Sequence, residues 1–141
     1  MQLTRLIYAS KHGTTSVETL DQILQKSRAN NVRDGITGAL VIGEDHFLQL
    51  LEGDRTAVAQ CFMRIMQDGR HSDIHVISSG DAKERLFFEW SMHRIETSRI
   101  KKHILSRYTV NGTFDPVRMS QLAIEDMCRT LSAGDWEAMA A

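Results

Sequence analysis

The sequence predicts an α+β fold of the ferredoxin-like kind, a βαββαββ sandwich with a C-terminal helical extension. Apolar residues repeat first at the spacing of a strand and then at the spacing of a helix, several times along the chain. The resulting order, strand, helix, strand, strand, helix, strand, strand, places two helices on one face of a mixed sheet. Since 141 residues suit one domain and an appendage, we expect a domain over residues 1–96 and a helical extension over residues 97–141.

The first strand and the first helix are predicted near the N-terminus. Residues 3–10 are mostly apolar and predict a largely buried strand. Thr15 and Glu18 have the spacing of a capping box, which marks the start of a helix. The helix is expected to end where Asn30 and Asn31 interrupt a repeat at 3- and 4-residue intervals, which is formed by Val17, Leu20, Ile23, Leu24 and Ser27.

A β-hairpin is predicted next. Residues 36–42 are rich in strand-forming side chains, and residues 43–45 can form a turn. Beyond the turn, Phe47, Gln49 and Leu51 alternate with their neighbours, so they share one face of a strand. Gln49 is therefore a polar side chain on an otherwise apolar face.

A second helix and two more strands complete the predicted domain. Asp54 can cap the helix, which ends near Gly69. Residues 74–78 and 86–92 have the composition of strands. The apolar stripe of the helix consists of Val58, Cys61, Phe62, Ile65 and Met66.

The extension is predicted to contain two helices. The first has Ile100, Ile104, Leu105 and Tyr108 at helical spacing. The second is expected to begin with Asp115 as N-cap and Pro116 as first helical residue. Its stripe of Leu122, Ala123 and Met127, like that of the first helix, has to be buried against the sheet or against a second subunit.

Composition excludes several classes of protein. The net charge of -1 is too balanced for a dedicated nucleic-acid binder, so we expect no nucleic-acid partner. No apolar stretch approaches the ~20 residues of a membrane span and no signal peptide is evident, so we expect a cytoplasmic protein. Cys61 and Cys128 lie far apart in apolar segments, which indicates buried thiols and no disulfide.

The motifs of common enzymes do not occur. Residues 12–15 (HGTT) and 35–38 (GITG) match neither phosphate-binding pattern of glycines. His71 and His75 are four residues apart, but the chain leaves the helix and enters a strand here, so we expect no metal site. No Ser-His-Asp or Cys-His set can be assembled from the sequence.

Three polar residues stand where the pattern predicts core. They are Tyr8, Asn31 and Gln49. A buried amide without a partner costs ~1–3 kcal/mol, so each of them needs hydrogen bonds. Gln49 could pair with backbone or with Tyr8 in a structural network, or the group could hold a buried polar ligand.

Seven short motifs together resemble a known family. In this combination the chain resembles the BLUF domain, the blue-light sensor that uses FAD, over about residues 3–95. The motifs are residues 6–10 (LIYAS), 30–31 (NN), 35–38 (GITG), 47–49 (FLQ), 51–53 (LEG), 68–71 (DGRH) and 90–92 (WSM).

The resemblance implies that FAD is bound noncovalently, with its isoalloxazine ring between the two helices. It implies that Tyr8 and Gln49 are the photoactive pair and that Asn31 binds the flavin edge. Trp90 and Met92 are further photoactive candidates, but on one strand they would face the same side, so alternation does not decide between them. The residues implied to line or pack around the flavin are Ile23, Asn30, Phe47, Arg64, Ile65 and Asp68.

The two photoactive side chains suit such chemistry. A phenol can give up an electron and a proton, and rotation or tautomerisation of the Gln49 amide changes which partner receives its hydrogen bonds. No output enzyme fits in 141 residues, so we expect a photosensor, not an enzyme. Its signal would leave through the last strand and the extension.

The implied partners are a second copy of the chain and a separate effector protein, either a cyclic-dinucleotide enzyme or a transcriptional regulator. Two alternatives remain open. One is a light-insensitive, acylphosphatase-like hydrolase on the same scaffold, although residues 12–14 offer no arginine for phosphate. The other is a flavin-free interaction module in which Tyr8 and Gln49 are structural.

Overall fold

A mixed five-stranded sheet forms the centre of the protein. The structure is a computed structural model that describes residues 2–13 and 17–138. The strand order is β4-β1-β3-β2-β5; β2 and β5 are parallel and the other neighbours are antiparallel. The predicted α+β, ferredoxin-like class is confirmed. The strands are β1 (Leu3–His12), β2 (Thr37–Ile42), β3 (His46–Asp54), β4 (His71–Asp81) and β5 (His93–Glu96).

Two helices, α1 (Val17–Asp34) and α2 (Arg55–Met66), cover one face of the sheet. Asp54 caps α2 as predicted, since its carboxylate accepts a hydrogen bond from the Thr56 backbone N–H at 3.2 Å. Together the helices and the sheet bury a helix-side cluster, which consists of Leu6, Tyr8, Leu20, Leu24, Ile36, Leu40, Leu51, Val58, Cys61 and Met92.

The first helix is longer than the sequence predicts. It runs through Asn30 and Asn31 and ends at Asp34. The stop is made by Gly35, whose φ of 70° is easily reached only without a side chain, and by a hydrogen bond of 2.9 Å from the Ile36 N–H to the Asn31 carbonyl. The predicted capping box of Thr15 and Glu18 lies outside the residues and side chains that the structure describes.

The tail, residues 97–138, folds back onto the other face of the same sheet. It contains α3 (Lys102–Leu105) and α4 (Gln121–Ser132), joined by 3₁₀ turns. The apolar stripes of the tail were expected to be buried against the sheet or against a second subunit, and the sheet covers them. The tail-side cluster includes Ile7, Ala9, Ala39, Val41, Leu48, Leu50 and Ile95 from the sheet, Phe87 from the β4–β5 connection, and Ile100, Ile104, Tyr108, Ile124, Met127, Leu131 and Trp136 from the tail.

The predicted strand at residues 86–92 is wrong. Residues 82–92 form an irregular connection, and pairing with β2 begins only at His93. The connection cannot pair as a strand because a side chain holds its backbone: the N–H groups of Leu86 and Phe87 donate to the Glu52 carboxylate. The Trp90 N–H then closes a turn by donating to the Phe87 carbonyl at 2.9 Å.

Both predicted tail helices differ from the structure. Residues 100–108 form one short α-helix followed by a 3₁₀ turn, not a single helix. Pro116 begins only a 3₁₀ turn, and Asp115 makes no side-chain cap. The second helix starts five residues later, where Ser120 Oγ accepts from the Ala123 N–H at 3.1 Å. On it Met127 is buried, but Leu122 is 77% exposed.

The cysteines and the helices of the described part of the chain can be set against the expectations from composition. Cys61 and Cys128 are buried free thiols, as predicted. The helices seen there are too short or too polar to cross a bilayer. Nor do the His, Cys, Asp and Glu side chains described there gather in threes as metal ligands would.

Candidate functional site

Tyr8 and Gln49 meet at the centre of the helix-side face. The β1–β3 register places them directly opposite each other, so their side chains emerge on the same face. The Tyr8 hydroxyl donates a hydrogen bond to Gln49 Oε1, and both side chains are buried. The Gln49 amide then donates from Nε2 to Met92 Sδ at 3.3 Å. These three side chains form one continuous hydrogen-bonded chain.

The surroundings of Tyr8 keep its phenol protonated. Burial raises the pKa of Tyr8 far above its ordinary value, and the negative charge of Asp68 adds to this rise. The Phe62 ring meets the Tyr8 ring edge-on, with 5.5 Å between centroids. Tyr8 is thus a fixed donor that holds its proton toward Gln49 at physiological pH.

Asn31 is the third buried polar residue of the site. It lies on α1, and its Nδ2 donates to the Ser91 carbonyl at 2.6 Å. The Cys61 thiol, whose pKa is raised by burial, donates to Asn31 Oδ1 with 3.7 Å between the heavy atoms. Each amide of the site keeps a second N–H and a second acceptor lone pair, so Asn31 and Gln49 can both accept a further polar partner.

The structure separates Trp90 from Met92. Met92 is buried against Gln49, whereas Trp90 is 44% exposed and stacks on His93 with 3.9 Å between ring centroids. The two side chains do not share a face because residues 86–92 are not a strand. Of the two candidates, only Met92 is hydrogen-bonded to Gln49.

The remaining predicted residues are spread around this centre. Phe47 and Ile65 are partly buried and pack against the helix-side cluster. Ile23 and Asn30 are partly buried on α1. Arg64 is exposed and forms a 3.0 Å ion pair with Asp34, which connects α2 to the end of α1.

Asp68 lies just beyond α2. It is partly buried, and its carboxylate accepts from the Arg70 N–H at 3.0 Å. Its negative charge reaches Tyr8, where it contributes to the raised pKa of the phenol. Asp68 therefore acts on Tyr8 through its charge and not through a direct hydrogen bond.

Sequence reasoning missed His71 as a site residue. Its ring lies 6.2 Å from the Tyr8 ring, Nδ1 is 2.8 Å from Ser10 Oγ, and Nε2 is 3.1 Å from the Ile65 carbonyl. The sequence suggests only a metal-ligand role to be considered for His71, although this residue ends the DGRH motif. Cys61 was likewise assigned to packing alone, and nothing in the local pattern indicates its contact with Asn31.

This face of the protein suits a flat aromatic ligand with polar edges. Two amides and a phenol supply donors and acceptors at its buried centre. Apolar side chains that are only partly buried stand beside them and would lose further exposed surface against such a ligand. These side chains are Ile42, Phe47, Phe62, Ile65 and Met66.

Sequence comparison agrees with this geometry. Residues 3–93 match the family described as BLUF, sensors of blue-light using FAD. The photoactivated adenylate cyclase subunit beta of Euglena gracilis is 32% identical over 126 residues, which is 86% of this chain but 13% of the cyclase subunit. The blue light- and temperature-regulated antirepressor BluF of Escherichia coli strain K12 is 33% identical over 86 residues, 60% of this chain and 21% of the antirepressor. The chain thus spans only a small part of these relatives.

Solved structures of similar length share the fold. The photo-activated state of BlsA superposes with a TM-score of 0.84 at 27% identity, and the alignment covers 97% of this chain and 99% of BlsA. The dark state of BlrB, a BLUF protein, superposes with a TM-score of 0.79 at 30% identity and covers 94% of this chain and 96% of BlrB. The chain therefore belongs to the BLUF family, the sensors of blue light using FAD.

Proposed function

We propose that this chain is a cytoplasmic blue-light photoreceptor in which Tyr8 and Gln49 carry the photochemistry. The observation that carries the proposal is the buried chain from the Tyr8 hydroxyl through the Gln49 amide to Met92 Sδ. A chain of this kind has a second arrangement, since the amide can exchange its donor and acceptor sides. The sensor acts on a separate effector and is not itself an enzyme.

The residues fit FAD in chemical type. Asn31 and Gln49 have unused amide capacity for the polar edge of the ring, and Phe47 and Ile65 present apolar surface to its face. Ile23 would add packing, and the polar residues Asn30, Arg64 and Asp68 would line the ring and ribityl side. Neither buried thiol is needed, so we propose that FAD is held without a covalent bond.

FAD, when bound, absorbs blue light and supplies an excited acceptor for an electron. Tyr8 would be the electron donor on this chain, and its phenolic proton would pass to Gln49 Oε1, the oxygen that already accepts the bond. Return of an electron and a proton to the Tyr8 oxygen would leave the chain with no net oxidation. Rotation or tautomerisation of the Gln49 amide then changes the group that it presents to Met92 Sδ. The result is a rearranged set of buried hydrogen bonds.

The first prediction is a direct test of this proposal. We expect the purified protein to be yellow, with FAD released on denaturation. Blue light should shift its visible absorption slightly to longer wavelength, and the shift should reverse in the dark. A protein that is colourless and fails to take up added FAD would contradict the proposal and leave the flavin-free module or the acylphosphatase-like hydrolase.

The second prediction concerns Asn31. Replacing it with alanine should raise the apparent Kd for FAD about fivefold or more, because a buried hydrogen bond is worth ~1 kcal/mol. Titration of the apoprotein with FAD measures this. Val32→Ala, at the next position of α1 but 73% exposed, is the control and should bind FAD normally. Equal affinity for FAD in both variants would show that Asn31 does not bind the flavin edge.

We further propose that the signal leaves through β5 and the tail. Met92 immediately precedes β5, and the tail covers the sheet that β5 belongs to. Exchange of one or two buried hydrogen bonds supplies ~1–3 kcal/mol, which corresponds to ~5–150-fold in the affinity of a partner. A free-energy difference of this size changes the affinity for an effector but is too small to convert the effector fully from one state to the other.

The proposed partners are a second copy of this chain and a separate effector, either a cyclic-dinucleotide enzyme or a transcriptional regulator. The inner face of α4 is already buried on the sheet, so a contact through α4 would use its outer face, which carries the exposed Leu122. The relative described as an antirepressor supports a transcriptional regulator, and those described as photoactivated adenylate cyclase subunits support an enzyme of cyclic-nucleotide metabolism in general.

A further inference from the structure

Glu52 has a completely buried carboxylate that the proposed photochemistry does not use. It lies on β3 three residues after Gln49, and its side chain is 0% exposed. Because side chains alternate along a strand, Glu52 points to the tail side of the sheet and Gln49 to the helix side. A buried charge needs several hydrogen bonds or ion partners to remain buried.

Two of the donors to Glu52 are backbone N–H groups of the β4–β5 connection. Leu86 N donates to Oε2 at 2.9 Å and Phe87 N donates to Oε1 at 2.7 Å. Thr37 Oγ1 donates to Oε1 at 3.0 Å, and Arg5 Nε lies 3.6 Å from Oε2. Both carboxylate oxygens therefore accept hydrogen bonds, and two of these three bonds come from residues 86–87.

Residues 86–92, named the strap here, cross the edge of β2 from the tail side to the helix side. Phe87 belongs to the tail-side cluster and Met92 to the helix-side cluster. Between them the Gly38 N–H donates to the Trp90 carbonyl at 3.1 Å. The strap is thus held at one end by Glu52 and at the other by Gln49, through Met92 Sδ.

The helix-side end of the strap is held by α1 as well. Arg28 Nε donates to the Met92 carbonyl at 3.0 Å, and Asn31 Nδ2 donates to the Ser91 carbonyl. Three consecutive carbonyls, those of residues 90–92, are therefore each bound from outside the strap. The Glu52 carboxylate supplies a separate anchor at the tail-side end, so the strap is held between two sets of hydrogen bonds.

We propose that Glu52 is a positioning residue of the photocycle: by anchoring the tail-side end of the strap it fixes Met92 against Gln49 and thereby sets the rate of dark recovery. This inference rests on the proposed function. A glutamine at position 52 would replace one carboxylate oxygen with an NH₂ group that faces a backbone N–H. One of the hydrogen bonds to Leu86 or Phe87 would then become a repulsive contact between two donors. Loss of a charge-assisted bond should leave FAD in place but let Met92 move relative to Gln49.

The test compares Glu52→Gln with Ile124→Ala in full-length, FAD-loaded protein. Ile124 is buried on α4 in the tail-side cluster and gives no hydrogen bond to the strap, so its truncation destabilises the same face while leaving the hydrogen bonds to Glu52 intact. In Glu52→Gln we expect amide hydrogen exchange in residues 86–92 to become about tenfold faster, and dark recovery to change by ~5–30-fold. In Ile124→Ala the recovery rate should stay within about twofold of the wild type.

The outcomes separate the two proposals. If the wild-type protein shows no reversible absorption shift, the proposed function is wrong, and the inference about Glu52 fails with it. If wild type shifts but Glu52→Gln recovers at the wild-type rate, or if Ile124→Ala alters recovery equally, the inference is overturned. Should Glu52→Gln not fold, Thr37→Val removes one donor to the same carboxylate and must change the recovery rate for the inference to stand.

Discussion

Replacing Tyr8 with phenylalanine is expected to abolish the reversible long-wavelength shift under blue light while FAD stays bound. Phenylalanine has no hydroxyl, so the donor to Gln49 Oε1 and the proton that moves with the electron are both removed. The aromatic ring itself is kept, and with it the edge-on contact with Phe62. Absorption spectra taken before and after illumination, at matched flavin occupancy, measure the effect.

The second tyrosine of the chain provides the matched control. Tyr108 is also buried and also donates, to Asp126 Oδ2 at 2.6 Å, but it lies in the tail. Tyr108→Phe should retain the full spectral shift and lose only ~1 kcal/mol of unfolding free energy. Gln49→Leu removes the acceptor and should abolish the shift as Tyr8→Phe does. A normal shift in Tyr8→Phe would show that another residue supplies the electron and proton.

The centre of this site can be predicted from sequence because each part of it depends on local alternation. A polar residue on the apolar face of β3 marks Gln49, and the apolar run of β1 marks Tyr8. The register that joins them follows from the way β1 lies beside β3, and it agrees with the face that alternation assigns. The residue pattern and the tertiary structure therefore both place Tyr8 and Gln49 on the same face of the sheet.

Met92 could not be assigned from sequence because distant groups hold its position. Its segment is fixed by Glu52 on β3, Gly38 on β2 and two side chains of α1. None of these partners is a neighbour in the sequence, so the periodicity of residues 86–92 carries no information about them. The same apolar spacing that suggested a strand arises from a turn that crosses the sheet edge.

The start of α4 was misplaced for a different reason. Asp115 followed by Pro116 and Ser120 followed by Gln121 are both acceptable helix starts, and local rules rank the first higher. In the structure Pro116 is buried and the Asp115 carboxylate lies 3.7 Å from His46 Nε2 on β3. Packing against the sheet thus decides between two local signals of similar strength.

The second large effect that we expect is a loss of stability when Met127 on α4 is truncated. Met127→Ala is expected to lower the free energy of unfolding by about 2–5 kcal/mol, because Met127 is 0% exposed in the tail-side cluster and its truncation leaves a cavity. Leu122→Ala on the same helix should change it by no more than about 0.5 kcal/mol, since Leu122 is 77% exposed. Urea unfolding followed by circular dichroism measures both values. Equal losses would mean that Leu122 and Met127 share one buried stripe, as the sequence pattern predicts, and that α4 does not lie on the sheet as described.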